Sequence, residues 1–218
     1  MARRIGGKGG GSDPGAGKAG AVVAAGVLAV SVAAGSGGLS LGGGASTTSV
    51  DSVGTNLTRA KSEGRKSARK GDADCAWRQL NMRTLKRTAK PALECVSHSF
   101  GQVRDHFLRN PCTSLDRTLF AIGDERGNVA VVSVAWVGFR NRGDAGEFKK
   151  LIDVHGTGDI TPLATPLLDL ADIRFTGLHY QSRPDGSTVV IAEAETASGH
   201  VGGDVLDAAA DLASWLPR

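Results

Sequence analysis

The sequence predicts an α+β fold, an antiparallel sheet of about five strands with helices mainly on one face, preceded by a disordered Gly-rich region and a weak hydrophobic segment. Three observations lead there. Beyond residue 90, β-branched runs of strand length alternate with stretches of helical period, and two pairs of runs are joined by turn-forming residues. Before residue 60 glycine is concentrated and large apolar side chains are few, so little repays the entropy of ordering the backbone. Charge divides the rest: residues 59–90 hold eleven Lys/Arg against Glu63, Asp72 and Asp74, a net +8, whereas residues 91–218 carry −6. The overall charge of +4 therefore comes from a tract and not from the domain, which argues against a nucleic-acid-binding fold.

Residues 1–18 form a basic, Gly-rich tail. Residues 19–35, "AGAVVAAGVLAVSVAAG", are uncharged, and the next basic residue after Lys18 is Arg59. That layout matches a signal anchor or a cleaved signal peptide, with positive charge kept on the cytoplasmic side. Ala21, Ala25, Ala29 and Ala33 recur at every fourth position, a small-residue stripe on which two membrane helices of a homo-oligomer would approach closely. Residues 36–58 have the Gly/Ser/Thr composition of a linker. Residues 59–90 read as a basic helical region broken near Gly71-Asp72 and ended by Pro91, with Cys75, Met82, Leu85 and Ala89 on one face.

The α+β domain proper is expected over residues 91–218. "ALECVSHS" is a short strand, and "SFGQVRDHFLRN" a helix with Ser99 and Gln102 as a capping box. "SLDRTLFAIG" and "NVAVVSVAWVGF" form a hairpin across residues 124–127, the second being apolar on both faces and hence central. "GDAGEFKKLIDVHGTG" is a helix capped by Asp144 and stopped at Gly156. "TPLATPLLDLAD" is a short helix or irregular stretch. "IRFTGLHYQSR" and "STVVIAEAET" make a second hairpin around Pro184-Asp185-Gly186, and "GGDVLDAAADLASWLP" closes the chain as a helix burying Val205, Leu206, Ala209 and Leu212.

Four zinc-ligand types, Cys95, His98, His106 and Cys112, fall within eighteen residues, but their spacing forms no pair of knuckles, so no metal or cofactor is expected. A strand running into a helix that runs back brings the two cysteines towards the ~5.5 Å α-carbon separation of a disulfide. Closing so short a loop contributes about 3 kcal/mol on the chain-entropy model. Cys75 falls on an apolar helix face. Glu193 and Glu195 share one face of the last strand and are expected as solvated surface carboxylates; "HGTGD" at residues 155–159 is expected as a helix stop and turn. No nucleophile stands beside a recognisable base, so no enzyme is expected. In the basic tract, Arg59, Lys61, Arg65, Lys66, Arg69 and Lys70 suit an anionic partner; nucleic acid is the weakest of these, because Trp77 is the tract's only aromatic for base stacking.

The basic tail, weak amino-terminal span, Gly/Ser/Thr stalk and paired-cysteine domain together resemble the small membrane-anchored or secreted envelope proteins of high-GC bacteria. The resemblance lies in layout and brings no site residues with it. It implies a non-enzymatic extracytoplasmic binding or assembly module, tethered to or secreted across the cytoplasmic membrane. The alternative is a cytoplasmic protein that uses residues 59–90 to bind nucleic acid or an anionic membrane.

Overall fold

The valine-rich run Val129–Gly138 is buried at nearly every position, which only a strand covered on both faces can be. In the computed structural model, which describes residues 50–92 and 94–218, this strand is the centre of a five-stranded antiparallel sheet. In chain order the elements are α1 (Val50–Arg69), α2 (Ala73–Arg78), β1 (Arg83–Ala92), α3 (Gly101–Arg109), β2 (Ser114–Gly123), β3 (Val129–Gly138), α4 (Arg142–Ile152), β4 (Tyr180–Asp185), β5 (Thr188–Ser198) and α5 (Gly203–Ala213). Single 3-10 turns lie at Val96–His98 and Thr165–Leu168. Across the sheet the order is β1-β2-β3-β5-β4, so both edges are known: β1 on one side and β4 on the other.

The α+β class and the five antiparallel strands agree with the expectation, but the helices are shared more evenly between the faces. Alternate residues Ala130, Val132, Val134 and Trp136 of β3 pack with Ala68 of α1, Trp77 of α2 and Ala209 and Leu212 of α5. The intervening Ala135 and Val137 pack with Val103 and Phe107 of α3 and with Ala145 and Phe148 of α4. On the first face Trp77 meets Phe120 edge-on at 5.7 Å, and the indole of Trp136 donates to the Leu216 carbonyl at 2.9 Å, which ties the chain end to the sheet. On the second face the rings of Phe107, Phe139 and Phe148 lie 5.0–6.3 Å apart. Burying each such ring is worth about 1.5–3 kcal/mol.

Several boundaries differ from the sequence reading. Residues 83–90, expected as helix, belong to the edge strand β1, paired with β2 from Arg83 opposite Gly123 to Ala92 opposite Leu115. The half-buried residues of this strand include Thr84, Thr88 and Ala92, whose four-residue spacing mimics a helical face. Pro91 is tolerated because an edge strand needs partners on one side only. "ALECVSHS", expected as a strand, contributes only Ala92 to β1 and then turns at Val96–His98, so the first strand of the sheet lies upstream of where it was expected. Ser99 does not cap α3; its hydroxyl donates to the Cys95 carbonyl at 2.8 Å. The cap of α4 is Asn141, whose side-chain Oδ1 accepts from the Asp144 amide at 2.9 Å.

Residues 50–58, expected as the end of the linker, open α1. From residue 50 on, the described residues belong to one packed unit, so the basic helices are part of the same body as the sheet. The tail 1–18, the segment 19–35 with its Ala21/Ala25/Ala29/Ala33 stripe, and the linker up to residue 49 lie outside the described residues. Among the described residues, no helix is long and apolar enough to cross a membrane.

Candidate functional site

On the second face of the sheet, α3 and α4 leave part of β4 and β5 to be covered by loops. Between these loops lies a cleft of about 760 Å³, within the ~300–1,000 Å³ of ordinary small-ligand sites. One wall is the segment 153–161, which follows α4. It is zipped to the start of α3 by backbone bonds from Phe100 to the Asp159 carbonyl (3.1 Å), from Val103 to that of Thr157 (3.3 Å), and from Thr161 to that of His98 (2.8 Å). Gly158 has φ +105° and lies so close that a β-carbon there would run into the Phe100 carbonyl oxygen. "HGTGD" is therefore more than a helix stop; its Gly158, facing Gly101 of α3, lets two backbones touch.

The zipper hangs on a covalent anchor. Cys95 and Cys112, singled out in the sequence, form a disulfide across α3 with their α-carbons 6.2 Å apart. Beneath the wall, Arg117 of β2 is almost wholly buried, and its Nη1 donates to the Thr161 carbonyl at 2.9 Å. Burial lowers the pKa of this guanidinium from its ordinary value.

The opposite wall is the segment 172–177. The Thr176 amide donates to Glu195 Oε1 at 2.9 Å, and the Thr176 hydroxyl donates to the same oxygen. The floor is formed by Tyr180 of β4 and Glu193 of β5, directly opposed across the ladder. The Tyr180 hydroxyl donates to Asp153 Oδ1 at 3.1 Å. Burial opposes the charge on Asp153, yet hydrogen bonds from Lys149, Ser182 and Tyr180 hold its carboxyl below the usual range. Burial pushes the Tyr180 phenol well above its ordinary value.

The chemically unusual feature is a pair of acids. Glu193 is 8 % exposed, not the solvated carboxylate expected of it, and its partner is Asp159 of the first wall instead of Glu195. The two carboxyl groups line the same cleft, and each bears on the other's protonation. Burial raises both; the neighbouring charges of Asp159 and Glu195 add to the effect on Glu193, which is pushed up to about 9. Asp159 Oδ1 also accepts from the Ile160 amide at 2.6 Å. Gly177, at φ +74°, leaves open the point between this pair and the imidazole of His155: a β-carbon there would lie 3.7 Å from His155 Nδ1 and 3.9 Å from Glu193 Oε1.

The basic tract is only partly available to a partner. Arg65 forms a two-pronged ion pair with the buried Asp211 of α5, both contacts at 2.8 Å, and Lys61 approaches the same carboxylate at 4.0 Å. The guanidinium of Arg69 lies 3.9 Å from the ring centre of Trp215, whose ring also carries Arg183 at 4.4 Å. Lys66 pairs with Glu63 at 2.8 Å on the exposed side, where Arg59 and Lys70 also lie. The charge of +8 thus partly complements the acidic domain that it packs against. Cys75 is a free, half-buried thiol at the start of α2.

Asp159 was missed because nothing in one sequence joins a loop aspartate to a strand glutamate. A signal did exist in the strand: Glu193 stands between Ala192 and Ala194 in an otherwise apolar run, a poor place for a solvated carboxylate. Among the described residues, no group of three or more His, Cys, Asp or Glu is placed to hold a metal ion. No protein-family model, curated protein or solved structure matches the chain.

Proposed function

We propose that the folded unit is a non-enzymatic extracytoplasmic binding or assembly module, tethered to or secreted across the cytoplasmic membrane, and that the cleft is its ligand seat. One observation carries this reading: the wall of the cleft that bears Phe100 and Asp159 is anchored by the Cys95–Cys112 disulfide. Structural disulfides persist in oxidising compartments and are rare in the cytosol. A ligand site built on such a bond would work where the bond lasts. The outward cations Arg59, Lys66 and Lys70 would then meet an anionic envelope partner, while Lys61, Arg65 and Arg69 serve the contact with α5.

The test has two readouts on native protein. Alkylation of intact cells followed by non-reducing mass spectrometry is expected to return a Cys95–Cys112-linked peptide from protein accessible to external protease; two alkylated thiols on a protected chain would sink the export reading. A fragment screen by NMR on the full chain is expected to place its hits on residues 153–161 and 172–177. Hits scattered over the surface would remove the cleft from consideration.

A further inference from the structure

Taking the cleft as the ligand seat, as proposed above, the charged groups that line it narrow the chemistry of what it holds. Carboxyls from Asp153, Asp159, Asp172 and Glu193 line it, against the guanidinium of Arg174 and the imidazole of His155. On the outer side the charges are already offset. Asp153 pairs with Lys149 and accepts from the Tyr180 hydroxyl at 3.1 Å, while Asp172 and Arg174 bring opposite charges to one exposed wall, two residues apart. The inner side differs. Glu193 is only 8 % exposed, and no ion pair among the described residues reaches it or Asp159.

The Glu193 carboxyl nonetheless faces open space. A β-carbon on Gly177 would lie 3.9 Å from Glu193 Oε1 and 3.7 Å from His155 Nδ1, so a ligand group placed in that gap meets both atoms. A neutral or anionic ligand filling the cleft would seal these carboxyls from water without a counter-cation, and a buried charge left unpaired is costly. A cation removes that cost. A bare metal ion is a poor fit, because no group of three or more His, Cys, Asp or Glu among the described residues is placed to hold one. The lining is also partly apolar: Phe100 and Val154 are 52 % and 56 % exposed, and Phe175 stands on the opposite wall. An ammonium ion carried on carbon uses both kinds of surface, and the rings of Phe100 and Tyr180 add the attraction of aromatic faces for cations.

We infer that the cleft between residues 153–161 and 172–177 binds an organic ammonium ion, its charge set against the Glu193 and Asp159 carboxyls and its carbon body against Phe100 and Val154.

The ion takes the place of a proton. In the free protein burial, and after it the charge of Asp159, keep Glu193 protonated up to about 9; on binding that proton leaves to solvent. Burial raises Asp159 as well, which acts in the same direction, and Tyr180 keeps its phenol proton throughout because burial pushes it well above its ordinary value. His155 beside the gap, Glu195 on the same strand, and Asp153, Asp172 and Arg174 on the walls complete the charges that face the site. Affinity for a permanent cation should therefore rise from neutral pH to about 9, by at most about tenfold per unit for one proton released.

The experiment is an NMR titration of the full chain with choline, with cadaverine, and with neohexanol, in which an uncharged tert-butyl group replaces the trimethylammonium of choline. At least one of the two ammonium ions is expected to shift the amides of both walls, and neohexanol to bind about tenfold more weakly than choline or not at all, a difference of 1.4 kcal/mol. Calorimetry with the ammonium ion that binds gives the pH dependence. Glu193→Gln, which keeps the side-chain shape, is expected to weaken binding about tenfold near pH 9 and to flatten its rise with pH. Should that variant fail to fold, Phe100→Ala, at an exposed position, is expected to weaken binding measurably. Neohexanol binding as tightly as choline, or cation binding that these variants leave intact, would overturn the ammonium while keeping the cleft as a ligand seat. Silence with all three probes sinks the ammonium alone if fragments bind the cleft, and both readings if they bind elsewhere.

Discussion

The two faces of the sheet use polar groups in opposite ways. Under α1, α2 and α5, the polar contacts close the structure: Arg65 caps the buried Asp211, Arg69 and Arg183 flank Trp215, and Trp136 holds the Leu216 carbonyl. Under α3, α4 and the long loops, the polar contacts keep a space open. Glu193 and Glu195, two positions apart on β5, each face one wall of the cleft, the first beside Asp159 and the second accepting from Thr176. Stability and access are thus assigned to different sides of one sheet. A face made closed by small side chains such as Ala208, Ala209 and Ala213 has no room for a ligand, and a face with a cleft needs another source of rigidity, here a disulfide.

Substitutions can set the two faces against each other. The largest effect is expected from Trp136→Ala, which empties the closed face and removes the bond to Leu216. Its cost is about 3–5 kcal/mol in urea unfolding, spread over the whole domain. Replacing both Cys95 and Cys112 by Ser should cost about 3 kcal/mol. In contrast to Trp136→Ala, it should first raise hydrogen exchange in residues 98–103 and 157–161, with α5 still protected. If α5 loses protection equally early, the two faces do not divide their work as described.

Arg65→Ala leaves the buried Asp211 with only the more distant Lys61, and because Arg65 is itself partly exposed the expected loss is about 2 kcal/mol, below that of a fully buried pair. Its check is a thermal melt that falls while cleft amides keep their NMR positions. The last effect is read as a slope with pH and not as a loss at one pH. Glu193 stays protonated in the folded chain up to about 9, whereas unfolded it releases its proton near 4.5. The folded state therefore holds the extra proton, and stability should decline as pH rises through that window, by at most about 1.4 kcal/mol per unit. Glu193→Gln is expected to flatten the slope in pH-dependent unfolding; an unchanged slope would mean that another group titrates.

What the sequence disclosed follows the same division. The strands β2, β3 and β5 and the helix α5 were legible because both layers bury their side chains, which leaves long apolar runs that no surface element would carry. The disulfide was legible because a short helix between two cysteines returns the chain on itself. β1 was not legible, since an edge strand half covered by neighbours need not alternate, and its cations and period of four imitate a helix. The caps of α3 and α4 were misplaced by small shifts: Ser99 turns its hydroxyl back to Cys95 and leaves Phe100 at the cap position, and Asn141, three residues ahead of Asp144, makes the local cap. The acid pair was out of reach, for it exists only once residues from a loop and a strand are folded together.

The edge strand β1 carries Arg83, Lys86, Arg87 and Lys90 along ten residues that hydrogen-bond to β2 on one side alone, with Lys86 paired to Asp169 and Arg87 over the ring of Phe120. Two copies meeting edge to edge would place like charges in register, and direct like-charge opposition disfavours strand pairing. This basic border works against sheet growth at the longer of the two edges among the described residues.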